Sequence, residues 1–173
     1  MDTAQLRSYI RDIPDFPKPG VMFRDVTPLL LVPEALRAAA DAVAAPFRDA
    51  GVDRVLGIES RGFLLGAPVA LSLGAGLGLV RKQGKLPYHT HQVSYDLEYG
   101  NDTVEMHVDT VEPGHRVLIV DDLIATGGTA AAALKLARGA GGDVVGCGFL
   151  IELSELKGVA LLDVESIHSV IRY

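Results

Sequence analysis

Residues 117–130 read VLIVDDLIATGGTA, and this stretch predicts a strand, a tight turn and the start of a helix. The aliphatic run at 117–120 is typical of a buried strand, and two adjacent carboxylates, Asp121 and Asp122, follow where that strand is expected to end. A Thr-Gly-Gly-Thr turn at 126–129 then leads into an Ala- and Leu-rich helical pattern. Open α/β sheets bind ligands at the carboxyl ends of their strands, so this turn is a candidate binding site.

The chemistry of the turn favours a phosphorylated sugar as the ligand. A glycine-rich turn before a helix presents backbone N–H groups and threonine hydroxyls at the positive end of the helix, which suits a phosphate. The two carboxylates suit sugar hydroxyls or a cation instead. A Walker A loop is excluded because Gly128 is followed by Thr129 and Ala130 rather than by Lys and Ser or Thr. In the purely structural alternative the glycines serve only the turn, and the adjacent carboxylates destabilise the fold without compensation.

The composition of the whole chain indicates one domain with a sizeable core. The chain has 173 residues, of which 49% are hydrophobic, and this excludes a disordered chain. The net charge of −6 argues against nucleic-acid binding, because no basic stripe is available to neutralise phosphates. The single cysteine, Cys147, forms no internal disulfide, and neither a signal peptide nor a membrane span is recognisable. We therefore expect a cytoplasmic protein.

The order of predicted elements indicates an α/β fold. Helical patterns alternate with short aliphatic runs, which favours a mostly parallel sheet covered by helices on both faces. We expect helices at 2–12, 33–50, 63–73 and 129–138, and strands at 54–58, 77–82, 116–120, 143–151 and 166–171. Alternating residues at 92–98 and 103–108 predict an antiparallel hairpin near the ligand end, and the prolines of 14–28 predict an irregular loop.

A second candidate site is the segment GIESRG at 57–62, which lies between a predicted strand and a predicted helix. A hydrolase nucleophile elbow needs glycine two residues before its serine, and Ile58 occupies that position, so Ser60 is a poor nucleophile. An anion-binding loop fits better, because Gly62 leaves backbone N–H groups accessible and Arg61 offers a planar fork of donors. The alternative is a surface arginine that follows a turn.

Three further segments have no role that composition alone can assign. Residues 81–87 read RKQGKLP and put three cations within five residues, a pattern that is usually a solvated face. Residues 14–25 read PDFPKPGVMFRD, a loop with two phenylalanines, and residues 94–100 read SYDLEYG, with two carboxylates on one face of the predicted hairpin.

Together these segments resemble the type I phosphoribosyltransferases, and among them the adenine phosphoribosyltransferases, from Pro14 to the last strand. The resemblance implies the type I phosphoribosyltransferase fold: an α/β fold with a central, mostly parallel sheet flanked by helices, a mobile β-hairpin lid and an N-terminal base-binding hood. It implies a single domain over 1–173, with the hood at 1–32 and the flexible loop and hairpin at 83–109. The implied reaction is adenine plus phosphoribosyl diphosphate (PRPP) giving AMP and diphosphate, in purine salvage. The expected enzyme is a homodimer that uses substrate-bound Mg²⁺, with no protein ligand to the metal.

The resemblance also implies a role for each matched residue. Glu98, on the lid, would be the general acid/base, and Arg61 would act with it in catalysis. The ribose and 5′-phosphate of PRPP would be bound by Asp121, Asp122, Ala125, Thr126, Gly127, Gly128 and Thr129. Its diphosphate would be bound by Glu59, Ser60, Arg61, Arg81, Lys82 and Lys85, with Arg81 reaching a neighbouring subunit. Adenine would be bound by Met22, Phe23 and Arg24. A cis peptide bond is expected between Glu59 and Ser60.

Two alternatives remain open at this point. The first is a phosphoribosyltransferase for xanthine, another purine or orotate, since residues 117–130 do not choose the base; the segments at 14–25 and 81–87 favour adenine. The second is a non-catalytic, purine-sensing regulator with the same fold. Such a regulator needs an added DNA-binding domain, for which the first 13 residues leave no room. Residues 88–92 depart from the family pattern, so the details of the flexible loop are open.

Overall fold

The computed structural model describes residues 1–96 and 101–173. The α-helices of this described part are α1 (Thr3–Ser8), α2 (Thr27–Leu30), α3 (Pro33–Ala44), α4 (Arg61–Leu73) and α5 (Gly128–Gly139). Its strands are β1 (Arg11–Ile13), β2 (Phe23–Asp25), β3 (Arg54–Ile58), β4 (Gly76–Lys82), β5 (Thr90–Asp96), β6 (Asn101–His107), β7 (Arg116–Ile124), β8 (Asp143–Glu152) and β9 (Ile167–Arg172). None of the helices in these two ranges is long and apolar enough to cross a membrane.

Within the described ranges, seven strands form the central sheet in the order β5-β6-β4-β3-β7-β8-β9. The strands from β4 to β9 through β3, β7 and β8 run parallel, as the alternation of helices and strands predicts. The carboxyl ends of β3 and β7 are therefore neighbours, which places the segments at 57–62 and 121–129 at the same edge of the sheet. The predicted mostly parallel sheet is confirmed.

The two faces of β7 supply the centres of two hydrophobic clusters. Leu118 and Val120 pack with residues of α3 and α4 on one face. Val117 and Ile119 pack with residues of α5 on the other face. This alternation follows from the two-residue period of a strand, and it makes β7 a fully covered central strand.

Strand β7 is longer than its sequence predicts. The aspartates were expected to mark its end, but the strand continues to Ile124 and pairs with β8 as far as Glu152. Backbone pairing with β8 continues the strand past the two aspartates. Because successive side chains point to opposite faces, Asp121 and Asp122 lie on different sides of the sheet.

The N-terminal segment also differs from its prediction. The predicted helix ran to residue 12, and 14–28 were expected to be an irregular loop, but Arg11 pairs with Asp25 in an antiparallel β1–β2 ladder. An ion pair between Arg24 and Asp12 reinforces this ladder. A contact between residues this far apart leaves no periodic pattern in the local sequence. The first prediction was wrong after Ser8, where α1 ends, and the second missed β2 and the start of α2.

The predicted hairpin is present, but it is an edge of the central sheet rather than an appendage. Strand β6 pairs with β4 through Arg81 opposite Glu105 and Lys82 opposite Val104, and β5 pairs with β6 along its whole length. The hairpin therefore brings its side chains directly beside the basic segment at 81–87. The predicted turn of the hairpin falls partly on residues 97–100, which lie outside the described residues.

Candidate active site

The turn at 125–129 forms a small cavity at the start of α5. A space of about 120 Å³ is lined by Asp121 and by residues 123–130. Gly127 has a φ of 84°, and a Cβ at this position would lie 2.2 Å from the carbonyl oxygen of Gly158. A side chain here is excluded by both the backbone conformation and the close contact, so the glycine is required for the shape of the loop. We name residues 125–129 the phosphate loop.

The two aspartates after this strand have different surroundings. Asp122 is buried, with 5% of its surface exposed, and one of its carboxylate oxygens accepts a hydrogen bond from Arg61 Nε at 2.5 Å. Asp121 Oδ1 accepts the backbone N–H of Asp122 at 2.8 Å. Burial, with the neighbouring charge of Asp122 added to it, raises the pKa of the Asp121 carboxyl well above its usual range. Asp121 is therefore the less stabilised carboxylate of the pair.

Arg61 lies at the centre of the site. Burial alone would lower its pKa, but the adjacent Asp122 raises the pKa of Arg61 above its usual value, so the ion pair is retained. The guanidinium carbon of Arg61 also lies 5.3 Å from the centre of the Phe23 ring. The structure thus brings together a residue predicted for diphosphate, one predicted for ribose and one predicted for adenine.

The loop at 59–62 has the backbone geometry that the resemblance implies. The peptide bond between Glu59 and Ser60 is cis. A Cβ on Gly62 would lie 2.8 Å from Asp121 Oδ1, so this glycine lets α4 start directly against β7. Glu59 accepts hydrogen bonds from Arg81 Nε at 3.2 Å and from the backbone N–H of Lys82 at 2.9 Å. Burial would raise the pKa of Glu59, but these donors hold it below its usual value.

We name the segment at 81–87 the basic edge; acidic residues hold the side chains of Arg81 and Lys82 and the backbone of Lys85. Arg81 pairs with Glu59 of the same chain, and its predicted reach to a neighbouring subunit stays a prediction. Lys82 Nζ forms an ion pair with Asp102, which lowers the pKa of Asp102. Glu105 Oε1 accepts the backbone N–H groups of Lys85 and Leu86, both at 2.9 Å.

Glu105 is a site residue that the sequence analysis missed. Only 2% of its surface is exposed, and burial would raise its pKa, but hydrogen bonds from the backbone of the turn keep its pKa below the usual value. The sequence feature that could have identified Glu105 is its position between Val104 and Met106, two buried apolar residues of β6. A lone carboxylate in such a strand requires donors, and here the basic edge supplies them.

A pocket of about 360 Å³ lies beside the hood and contains two of the three predicted adenine-binding residues. It is lined by Gly20, Val21, Met22, Arg24, Leu153, Glu155, Leu156 and Tyr173. Phe23 lies outside this lining and packs edge-on against Phe16, with ring centres 5.1 Å apart. The guanidinium carbon of Arg24 lies 3.9 Å from the centre of the Tyr173 ring. The sequence after Lys157 carries no recognisable motif, so only the tertiary structure shows that Tyr173 contributes to this pocket.

Three other observations concern the predicted site residues and their surroundings. Glu98, the predicted general acid/base, lies outside the described residues. A larger cavity, of about 870 Å³, lies at the opposite ends of the strands beside Arg116 and Asp143, and it contains none of the predicted site residues. Among residues 1–96 and 101–173, no three His, Cys, Asp or Glu side chains are grouped so that they could hold a metal ion.

Comparison with known proteins agrees with this geometry. Residues 26–166 match the model of the phosphoribosyl transferase domain. An adenine phosphoribosyltransferase of Thermobifida fusca is 60% identical over 158 residues, which cover 91% of this chain and 90% of the relative. The crystal structure of the Rhodothermus marinus adenine phosphoribosyltransferase is 54% identical, superposes with a TM-score of 0.94, and is matched over 99% of this chain and 98% of its own.

A third relative was solved with ligands. The adenine phosphoribosyltransferase of Saccharomyces cerevisiae, complexed with an imino-altritol bisphosphate and adenine, is 36% identical, with a TM-score of 0.92 and 97% of each chain covered. The predictions of the family, of the fold class and of a phosphoribosyltransferase enzyme are confirmed. The chain belongs to the family of the adenine phosphoribosyltransferases and has their type I fold.

Proposed function

We propose that this chain transfers the 5-phosphoribosyl group of PRPP to N9 of adenine and releases AMP and diphosphate, a purine-salvage reaction. The observation that carries the proposal is the meeting of three predicted subsites at Arg61. Its side chain contacts Asp122 of the ribose subsite and lies over Phe23 of the base subsite, and it follows the 59–62 loop of the diphosphate subsite. Such a cleft can hold two reactants in line. Holding them in line lowers the barrier to group transfer, because their relative orientation is fixed before the reaction.

In this proposal the phosphate loop binds the 5′-phosphate and the two aspartates bind the ribose. The N-terminal N–H groups of α5 and the Thr126 and Thr129 hydroxyls donate to the phosphate oxygens. Asp121 and Asp122 accept hydrogen bonds from the ribose hydroxyls. Because the pKa of Asp121 is raised, its charged form is destabilised in the unliganded protein, and a hydroxyl donor stabilises that form.

The diphosphate leaves toward the basic edge and the 59–62 loop. Carbon 1 of the ribose becomes cation-like as the leaving group takes up negative charge, and preorganised donors stabilise that charge. Arg61, Arg81, Lys82 and Lys85 are the cations of this subsite, and Ser60 supplies a further donor. Glu59 has a supporting role, because its carboxylate holds Arg81 and the backbone of Lys82.

Adenine binds at the hood, and a proton must leave its imidazole ring. Phe23 stacks on the base, while backbone groups of Met22 and Arg24 read its edge, which lets the site distinguish an amino purine from a keto purine. We assign the proton transfer to Glu98 on the hairpin lid. Closure of the lid excludes the water that would hydrolyse PRPP.

In this proposal Mg²⁺ binds through the substrate rather than through protein side chains. The described acidic residues fit that arrangement, because Asp122 is committed to Arg61 and Glu59 to Arg81, so neither forms part of a metal cage. When bound through phosphate oxygens and water, Mg²⁺ supplies positive charge that helps to neutralise diphosphate. The chain's own residues orient PRPP and exclude water.

We also propose that the enzyme is a cytoplasmic homodimer whose residues 1–173 act as one catalytic domain. Leu64, Leu71 and Leu77 are large apolar side chains with 52%, 83% and 40% of their surfaces exposed. Leu64 and Leu71 lie on α4, the helix that begins at the 59–62 loop. A partner subunit that covers these side chains would bury apolar surface next to the basic edge.

The test is an assay of the purified protein with PRPP, Mg²⁺ and one base at a time: adenine, hypoxanthine, xanthine or orotate. AMP formed from adenine, with little product from the other bases, is expected. Preferential conversion of another base would show that adenine is not the substrate. Tight purine binding without any nucleotide product would favour the non-catalytic regulator.

A further inference from the structure

Tyr95 links the hairpin to the phosphate loop. It lies near the end of β5, and its ring is partly buried on the side of the sheet that faces α5. Its hydroxyl oxygen lies 2.9 Å from Lys82 Nζ, 3.1 Å from Asp102 Oδ2 and 3.0 Å from Thr129 Oγ1. One hydroxyl thus contacts the basic edge, the hairpin and the first turn of α5.

The proton count of this hydroxyl restricts how Thr129 can behave. A tyrosine hydroxyl has one proton to donate and two lone pairs that accept. Lys82 can only donate, so it occupies one lone pair. Asp102, whose pKa is lowered by its ion pair with Lys82, can only accept. The tyrosine proton therefore goes either to Asp102 or to Thr129.

These two arrangements have opposite consequences for a phosphate in the loop. If Tyr95 donates to Asp102, Thr129 donates to Tyr95 and presents only lone pairs, which repel a phosphate oxygen. If Tyr95 donates to Thr129, the proton of Thr129 is available to the phosphate, and Asp102 keeps Lys82 and the Thr103 N–H as its donors. Binding of a phosphate dianion selects the second arrangement.

We infer that Tyr95 is a positioning residue for the ribose 5-phosphate end of PRPP: by donating to Thr129, its hydroxyl turns the Thr129 hydroxyl toward the bound phosphate. The inference rests on the proposed function of the phosphate loop. It assigns Tyr95 no contact with adenine. Loss of the Tyr95 hydroxyl therefore weakens phosphate binding and leaves adenine binding unchanged.

The test variant is Tyr95→Phe, which keeps the ring and removes the hydroxyl. Its matched control is Ser94→Ala, which removes the neighbouring hydroxyl; that group bonds to Thr103 Oγ1 at 2.9 Å within the hairpin. We expect Tyr95→Phe to raise the Kd for ribose 5-phosphate, measured by calorimetry, and the KM for PRPP by about five- to tenfold, the range of one hydrogen bond. The KM for adenine and the Tm should change little, and Ser94→Ala should resemble the wild type.

A second measurement separates this role from simple support of the hairpin. In a Thr129→Val background, Tyr95→Phe should have no further effect on the Kd for ribose 5-phosphate, because the hydroxyl that it orients is absent. Equal and additive losses in both backgrounds would overturn the inference, as would an unchanged Kd in Tyr95→Phe alone. Equal increases in the KM values for adenine and PRPP would overturn it as well.

The outcome is distinguishable from a failure of the proposed function. If the wild-type protein makes no AMP and does not bind ribose 5-phosphate, the proposed function fails and the inference fails with it. If the wild type makes AMP and Tyr95→Phe behaves like Ser94→Ala, only the inference is wrong.

Discussion

The phosphate loop and the basic edge, which we propose to bind opposite ends of PRPP, are built in different ways. The phosphate loop consists of consecutive residues that line one small cavity at the start of a helix. The basic edge consists of charged side chains and a turn held by Glu59, Asp102 and Glu105, which lie about 20 residues away along the chain.

This difference in construction predicts how each subsite responds to substitutions. Backbone groups need no separate partner to hold them, but they require one exact chain path, so a single added methyl group at the wrong position disrupts all of them together. Side-chain cations tolerate small shifts, but Arg81 and Lys82 each depend on a carboxylate partner. We therefore expect abrupt failure in the phosphate loop and graded failure in the basic edge.

The largest effect should come from Gly127→Ala. The new Cβ would meet the Gly158 carbonyl oxygen at 2.2 Å, and alanine is strained at a φ of 84°. We expect kcat/KM for PRPP to fall by about 100-fold or more, because displaced donors lose their alignment, and stability to fall by about 1–3 kcal/mol. Steady-state kinetics and urea unfolding measure these two effects.

The control for this change is Gly139→Ala at the other end of α5, where an added Cβ meets no atom within 4 Å. This variant should keep the activity and stability of the wild type. Activity of Gly127→Ala within threefold of the wild type would mean that the loop does not require its observed shape.

A smaller effect is expected from Glu105→Gln in the basic edge. The amide keeps the size of the side chain but loses the charge that two backbone N–H groups of the turn at Lys85 share. We expect a loss of about 1.5–3 kcal/mol of stability, measured by urea unfolding at neutral pH, together with a raised KM for PRPP. The exposed Glu165→Gln is the control, and equal effects in the two variants would contradict a supporting role for Glu105.

Asp121→Asn is expected to change stability in the opposite direction, by stabilising the folded protein. Because burial and Asp122 raise the pKa of Asp121 in the folded protein, its charged form destabilises the fold at neutral pH. Asparagine should raise the free energy of unfolding by about 1 kcal/mol while raising the KM for PRPP. The gain should fade as pH falls, since the folded wild type then binds the proton itself. A loss of stability at neutral pH would argue against this account.

The smallest effect is a change in the pH dependence of the basic edge. The pKa of Glu105 is lowered from the usual 4.5 in the folded protein, so its contribution is complete above that value and is lost as pH falls through the folded pKa. The difference in unfolding free energy between wild type and Glu105→Gln should therefore be constant near neutral pH and shrink below about pH 4.5. If the difference in unfolding free energy grew as the pH fell, the pKa of Glu105 would be raised rather than lowered by folding.

Much of the fold could be predicted from local patterns, and the exceptions share a cause. Strand β7 and helix α5 were recognisable because aliphatic runs and a glycine turn have their own periodicity. The β1–β2 ladder was not recognisable, because Arg11 and Asp25 pair across a proline-rich loop whose local signals indicate only turns. The extension of β7 through both aspartates depends on pairing with β8, which the residues of β7 alone do not show.

The candidate site divides in the same way. The phosphate loop, the 59–62 loop and the basic edge were located from motifs, and the structure brings them to one edge of the sheet. The ion pair of Arg61 with Asp122 joins residues 61 positions apart, and Leu153, Leu156 and Tyr173 reach the hood pocket from the far end of the chain. No local pattern encodes these contacts.

The sequence by itself determined the strand–turn–helix at 117–130, the glycine positions and the family, because each depends on residues that are close together along the chain. The tertiary structure alone decided which carboxylate holds which cation, that Asp121 and Asp122 differ, and that Tyr95 touches Thr129. Charge and hydrogen-bond energies depend on distance in space and on burial. Only the packing of the sheet and its hairpin sets those two quantities for residues that are distant in the sequence.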